Sequence, residues 1–236
     1  MATAVHVAPE ILRTWPGYMA AVVMADGVRN GPSDRLSEGL LAEAEGAAGG
    51  SGLARAADDP RIAAWRDVFS EFGAKPSRYP SSAESLLGRV LKGGSLPRIN
   101  ALVDTYNAVS LRHVIPVGGE DLDRLQGDLR LVRASGDERF DASDGAADPP
   151  RPGELVWRDD LGVTCRRWNW RQGSRTQLTT ATERAFFVFD GLPPLEPEAL
   201  DAAVDELIGH LRARSQEVRV RIERPTSAAS AGRRPA

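Results

Sequence analysis

A change of hydrophobic period at Pro116 constrains this chain more than any other feature. From Ser33 to Leu111 apolar residues recur three and four apart, the spacing of helices with one buried stripe. Beyond Pro116 short stretches that alternate every second residue take over, the spacing of strands, until a last helical stretch from Glu198. Helical and strand stretches together in one chain of this length predict an α+β fold. The expectation is a single compact domain with a mixed β core flanked by helices.

The boundaries follow from local chemistry. Ser33-Asp34 cap a helix to about Glu45, and the stretch Gly46 to Gly52 ends it. Asp59-Pro60 open a second helix with Ile62, Trp65, Val68, Phe69 and Phe72 on one face. Ser81-Ser82 cap a third, which carries Leu86, Leu87, Val90 and Leu91 and stops at Gly93-Gly94. Pro97 to Leu111 is predicted helical with Ile99, Leu102, Val103, Tyr106 and Val109 inward. Glu198 to Arg214 is amphipathic, with Leu200, Val204, Leu207, Ile208 and Leu211 inward. Strands are predicted at Tyr18 to Met24, Leu129 to Arg133, Glu154 to Trp157, Val163 to Trp168, Phe186 to Phe189 and Glu217 to Glu223. Asp141 to Pro152 is a Gly/Pro/Asp loop. Gly46 to Gly52 is a surface loop and not a boundary, so residues 1–224 form one domain. Residues 225–236, small side chains around Arg233-Arg234, are expected to be a disordered tail.

Composition removes several classes of function. With 236 residues and 42% hydrophobic content the chain can bury a core without disulfide or metal. Its 30 basic against 33 acidic residues give a net charge of −3, so bulk positive charge cannot hold a nucleic acid and any such partner needs a local patch. Only Lys75 and Lys92 among the basic residues are lysine. No apolar run is long enough to span a bilayer, and no membrane association is expected. The start, MATAVHVAPEILRTW, has no basic leader followed by an apolar block, and Cys165 has no second cysteine to pair with, so a cytoplasmic location is expected. Phosphate-cradling glycine loops and a nucleophile elbow are absent, while His6, His113 and His210 are scattered. Neither a metal nor a cofactor is expected.

Two segments stand out. In the predicted helix, Asn100, Asp104 and Asn107 fall at i, i+4 and i+7 beside Tyr106 and Ser110, which makes a functional or buried polar line or else a solvated face. The second segment, Cys165 to Thr176, holds four arginines and two tryptophans in twelve residues and no carboxylate. Strand alternation would put Arg167, Asn169 and Arg171 on one face and Arg166, Trp168 and Trp170 on the other, until Gly173. Guanidinium forks suit phosphate or carboxylate, and indole faces suit a base or cation. The same arginines could instead pair with Glu154, Asp159 and Asp160, with the tryptophans in the core.

At these residues the chain resembles a known family. The run Arg98 to Asn107, Pro116, Asp121 to Leu125, Gly127 and Leu131 to Ala134 resembles the B3/B4 editing module of the bacterial phenylalanyl-tRNA synthetase beta subunit, and the free-standing proteins built from it. So do Ser81 to Leu86, Pro152-Gly153-Glu154, and the Cys165 to Arg171 block with Arg175-Thr176. The resemblance extends over about Ile62 to Phe189. It implies that fold and hydrolysis of a wrongly attached aminoacyl ester on tRNA, in trans because no synthetic domain is visible. The module's histidine after the Pro116 position and its late glutamate are replaced by Gly118 and the Phe186 to Phe189 run, so substrate reading differs.

On that basis Asn107, Asn169 and Asp104 are the expected water- and carbonyl-orienting residues. Arg166, Arg167, Trp168, Trp170, Arg171, Arg175, Thr176, Asn100, Tyr106 and Ser110 are the expected contacts to the aminoacylated tRNA 3′ end. A tRNA-binding module without hydrolysis, and a small-molecule ester or amide hydrolase that uses no RNA, are the alternatives. Oligomeric state is not legible.

Overall fold

The eight-residue run Met19–Asp26, almost wholly apolar, forms β2 and lies at the centre of the fold because both of its faces are covered. A computed structural model describes residues 3–142 and 148–225. The tail expected over 225–236 lies outside these residues apart from Pro225, as does the middle of the Asp141 to Pro152 loop.

β2 pairs antiparallel with β8 (Arg184–Gly191) on one side and β9 (Arg219–Glu223) on the other. β3 (Val117–Asp121) joins the far edge of β8 and gives the sheet order β3-β8-β2-β9. A second sheet runs β1 (Val5–Val7), β4 (Leu129–Arg133), β5 (Leu155–Arg158), β6 (Val163–Arg166) and β7 (Arg171–Gln172). β1 lies parallel to β4 and the other neighbours are antiparallel, so the β core is mixed, as the sequence predicts.

Helices close both layers: α1 (Pro9–Thr14), α2 (Arg35–Gly49), α3 (Pro60–Glu71), α4 (Ser82–Leu91), α5 (Ala101–His113) and α6 (Pro197–Arg214). Strand alternation divides β2 and β8 between two cores. Ala21, Val23, Phe187 and Phe189 pack against Leu102 and Val109 of α5 and Val204 and Leu207 of α6. Ala20, Val22, Phe186 and Val188 face the second sheet and meet Leu131, Leu155 and Trp157, with Trp65 and Phe69 of α3. A third cluster joins α2 and α4 to the back of α5 through Leu41, Leu87 and Leu111. α5 is therefore covered on both flanks, which is why ten of its side chains are buried.

Capping sets the helix starts. Asp34 accepts from the Ser37 N–H, Asp59 from the Arg61 N–H and Ser81 from the Glu84 N–H. Three boundaries differ from the sequence reading. α2 continues through Gly46 to Gly49 because the buried Ala44 and Ala48 hold its stripe in the core. α5 begins at Ala101, since Asn100 is its N-cap and accepts from the Val103 N–H; Ile99 lies before the helix and is 55% exposed. The strand predicted to reach Trp168 ends at Arg166.

Candidate functional site

The Arg/Trp block is a turn and not a continuous strand. Arg167 and Trp168 have φ of 46° and 64°, and this pair of left-handed residues reverses the chain so that Arg171 returns opposite Arg166 and Gln172 opposite Cys165. Such backbone is unfavourable for side chains with a Cβ and persists only where surroundings enforce it. Here the Trp168 N–H donates to Leu155 O at 2.7 Å, and the Ser82 N–H donates to Asn169 O at 2.9 Å. The Trp168 ring is fully buried, with Trp15, Tyr18 and Trp65 edge-on at 5.2, 4.8 and 5.3 Å. The turn is thereby docked against α4, and it carries Asn169 to Gln172 to the wall of a cavity.

The two-face alternation is therefore corrected, and with it several expected contacts. Arg166 is 1% exposed and forks onto Glu154 at 2.6 and 2.8 Å, with Asp148 as a second partner. Arg167 is sandwiched between the Tyr79 and Trp170 rings at 3.8 and 4.4 Å and approaches Glu154 at 3.5 Å. Arg175 pairs with the buried Asp159 at 2.7 Å, and Trp168 is core. The paired-arginine alternative describes these residues, with Glu154 and Asp159 as partners; Asp160 takes Arg130 instead. Asn100 is a helix cap. Asp104 braces the chain by accepting from the Ile99 N–H and the Ser37 hydroxyl, and the Ser110 hydroxyl donates to Ile115 O at 2.6 Å. None of these three lines the cavity.

Tyr106, Asn107, Trp168, Asn169, Trp170 and Arg171 are brought together around that cavity, whose volume is about 210 Å³. It lies between the inner face of β3 and β8 and the strands β5 to β7, with α4 and α5 closing one side. Glycine is required beside it: a Cβ at Gly119 would stand 2.8 Å from the Tyr106 ring and 2.9 Å from Phe187.

The cavity also contains two carboxylates, Glu120 and Asp190, that no motif marks. Glu120, on β3, is 3% exposed, and burial pushes its pKa up to about 7 against the opposing pull of the Thr176 and Thr164 hydroxyls. Thr176, expected at the tRNA end, instead donates to Glu120 Oε2. Asp190, at the end of β8, is equally buried and also pushed up to about 7. It accepts from the Tyr18 phenol at 2.5 Å and from Asn169 Nδ2 at 3.4 Å. The Trp168 indole N–H also favours its ionised form but falls short of hydrogen-bond geometry. Neither acid has an arginine or lysine partner among the described residues. The signal for Asp190 was present in the sequence: an acid that directly follows the buried run Phe186 to Phe189 is placed where ionisation is costly.

Buried polar atoms in native folds nearly always have partners. Yet Ser82 Oγ, Trp157 Nε1, Trp168 Nε1 and Asn169 Oδ1, all at this cavity, have none. The residues around the cavity thus carry both unsatisfied donors and unsatisfied acceptors. Next to it, and sharing Ser85, runs a groove of about 680 Å³ that carries Arg55, Arg66, Arg89 and Lys92. Arg55 is paired with Asp58 and Arg66 with Glu84, while Arg89 Nε donates to Ser95 O and Lys92 is exposed.

Comparison with known proteins places the chain. The sequence profile of the B3/4 domain matches residues 64–212, well over half of its length. The chain belongs to the B3/4 domain family. The matched span of this B3/4 protein contains every residue that lines the cavity, whereas Tyr18, which holds Asp190, lies outside it. The B3/4 chain is 37% identical over 73 residues to the phenylalanine–tRNA ligase beta subunit of Ruegeria pomeroyi, a match that covers 31% of this chain and 9% of that relative. Among solved structures it is similar to an N-terminal fragment of the phenylalanyl-tRNA synthetase beta-subunit from Pyrococcus horikoshii, with a TM-score of 0.47 and 13% identity. That match covers 94% of this chain and 50% of the other. The chain therefore spans less than two thirds of either relative. No helix among the described residues is long and apolar enough to cross a membrane.

Proposed function

We propose that this B3/4 protein is a trans-editing hydrolase that removes wrongly attached amino acids from the 3′ end of tRNA. The observation that carries the reading is the concentration of partnerless buried donors and acceptors, with two carboxylates, around one cavity. An aminoacyl ester matches that mixture, because it brings an ammonium donor and a carbonyl acceptor on adjoining atoms.

The chemistry follows from these groups. Glu120, poised near neutrality, takes a proton from water as the water oxygen attacks the ester carbonyl carbon. The resulting oxyanion is met by indole N–H donors from Trp157 and Trp168, which are fixed and need no reorganisation. Asn107 and Asn169 orient the water and the ester. As the carbon–oxygen bond to the ribose breaks, Glu120 returns its proton to the leaving oxygen, and free amino acid and tRNA are released. Asp104, braced at the start of α5, supports that helix and does not meet the ester.

The acceptor-end phosphates are assigned to the Arg89 and Lys92 groove, with Trp170 and Arg171 at the cavity for the terminal nucleotide. Deacylation of a panel of mischarged tRNAs by the purified chain tests the proposal. Salt-sensitive tRNA binding without ester loss would favour a binding module instead.

A further inference from the structure

One end of the cavity has a more specific chemistry than the whole. Asn169 is 8% exposed, and its amide nitrogen faces the Asp190 carboxylate, which leaves Oδ1 as a buried acceptor with no donor. Asp190 Oδ2 has no other hydrogen-bond partner than this long contact of 3.4 Å among the described residues, its Oδ1 being held by Tyr18. Two acceptor oxygens, one from a carboxylate, therefore belong to adjoining side chains at this end of the cavity without a cation. A lone ionised carboxylate is costly to bury, and a donor that carries positive charge offsets that cost.

Strand register separates this pair from Glu120. Glu120 lies opposite Phe186, four residues along β8 from Asp190, or roughly 13 Å at about 3.3 Å per residue. Both acids line the cavity, Glu120 toward one end of the strand pair and Asp190 toward the other.

We propose that Asp190 and Asn169 form a cation subsite that holds the free α-ammonium of the substrate, so that this site accepts unblocked aminoacyl esters and rejects N-acylated or peptidyl ones. The inference rests on the editing reading for its substrate, yet it concerns binding and does not require hydrolysis. An N-acyl group removes the charge and two of the three N–H donors and adds bulk at the point where the cavity wall is formed by Asn169 and Trp168. Asp190 and Asn169 are then specificity-determining residues, distinct from the proton-transferring Glu120.

The test uses 3′-aminoacylamino-3′-deoxyadenosines, amide analogues that cannot be hydrolysed as esters, in a set bearing alanyl, seryl, phenylalanyl and tyrosyl groups. Each is compared with its N-acetyl form by calorimetry on the full chain. At least one free-amine member is expected to bind tenfold or more tightly than its N-acetyl partner, and Asp190→Asn is expected to reduce that ratio below threefold. Equal binding of the two forms, an undiminished ratio in a folded Asp190→Asn protein, or no binding of any free-amine member overturns the proposal. The comparison on the unaltered chain stands even where the variant does not fold. Selective binding accompanied by no ester hydrolysis on charged tRNA would overturn the editing reading alone and leave the subsite in place.

Discussion

The Tyr18 phenol donates to Asp190 Oδ1 at 2.5 Å, joining the residue before β2 to the acid at the end of β8. Both are buried, and the bond sets the position of the carboxylate without neutralising it. Tyr18→Phe removes the donor and leaves an unsatisfied buried oxygen. The expected result is a loss of about 1–3 kcal/mol of stability at pH 8, read by urea denaturation, with slower deacylation. Unchanged stability would mean that this bond does not form.

Asp190 has a usual pKa of 3.8 and is held near 7 in the fold. Between those values the folded chain keeps a proton that the unfolded chain has lost, so stability falls as pH rises from about 4 to about 7. Asp190→Asn removes this penalty, which is on the order of 2–4 kcal/mol above pH 7. The variant should melt several degrees above the unaltered chain at pH 8, with the gap closing toward pH 5. Glu120 adds a slope of the same sign and remains in the variant, so part of the pH dependence persists.

Glu120→Gln keeps the shape and the Thr176 contact but cannot accept a proton. Single-turnover ester loss should fall by about 10²-fold or more, and the rise in rate around pH 7 should disappear. Retained binding of the amide analogues would separate this effect from a damaged cavity.

Alanine at both Arg89 and Lys92 should weaken tRNA binding and reduce the slope of log K against log salt by about 1.4–1.8, as for two lost phosphate contacts. Arg166→Ala tests the opposite assignment. By leaving Glu154 buried without its two-pronged partner, and with only the longer 3.5 Å ion pair to Arg167, it should cost about 3–5 kcal/mol of stability, whatever RNA is present.

Elements marked by capping and by period were legible in the sequence: Asp34, Asp59 and Ser81 start helices as predicted, and the apolar runs at 18–24 and 186–189 mark the two central strands, which span 19–26 and 184–191. The resemblance to the B3/B4 module holds in the family match. What failed turns on two residues. Nothing in the types of Arg167 and Trp168 signals left-handed backbone, which usually falls to glycine, so strict alternation assigned the arginines to open faces. The partners that bury them, Glu154 and Asp159, flank β5, and pairing between separate elements cannot be read from local spacing. Glu120 and Asp190 escaped for a related reason: an acid within a strand resembles an edge residue until a second sheet covers it.

Whether this chain edits tRNA is decided by single-turnover deacylation of a panel of tRNAs, each charged with cognate and near-cognate amino acids. Rapid ester loss confined to one or a few mischarged species, and abolished by Glu120→Gln, is the expected result. Release of no species above the uncatalysed rate, by a folded chain that binds the same tRNAs, would contradict it.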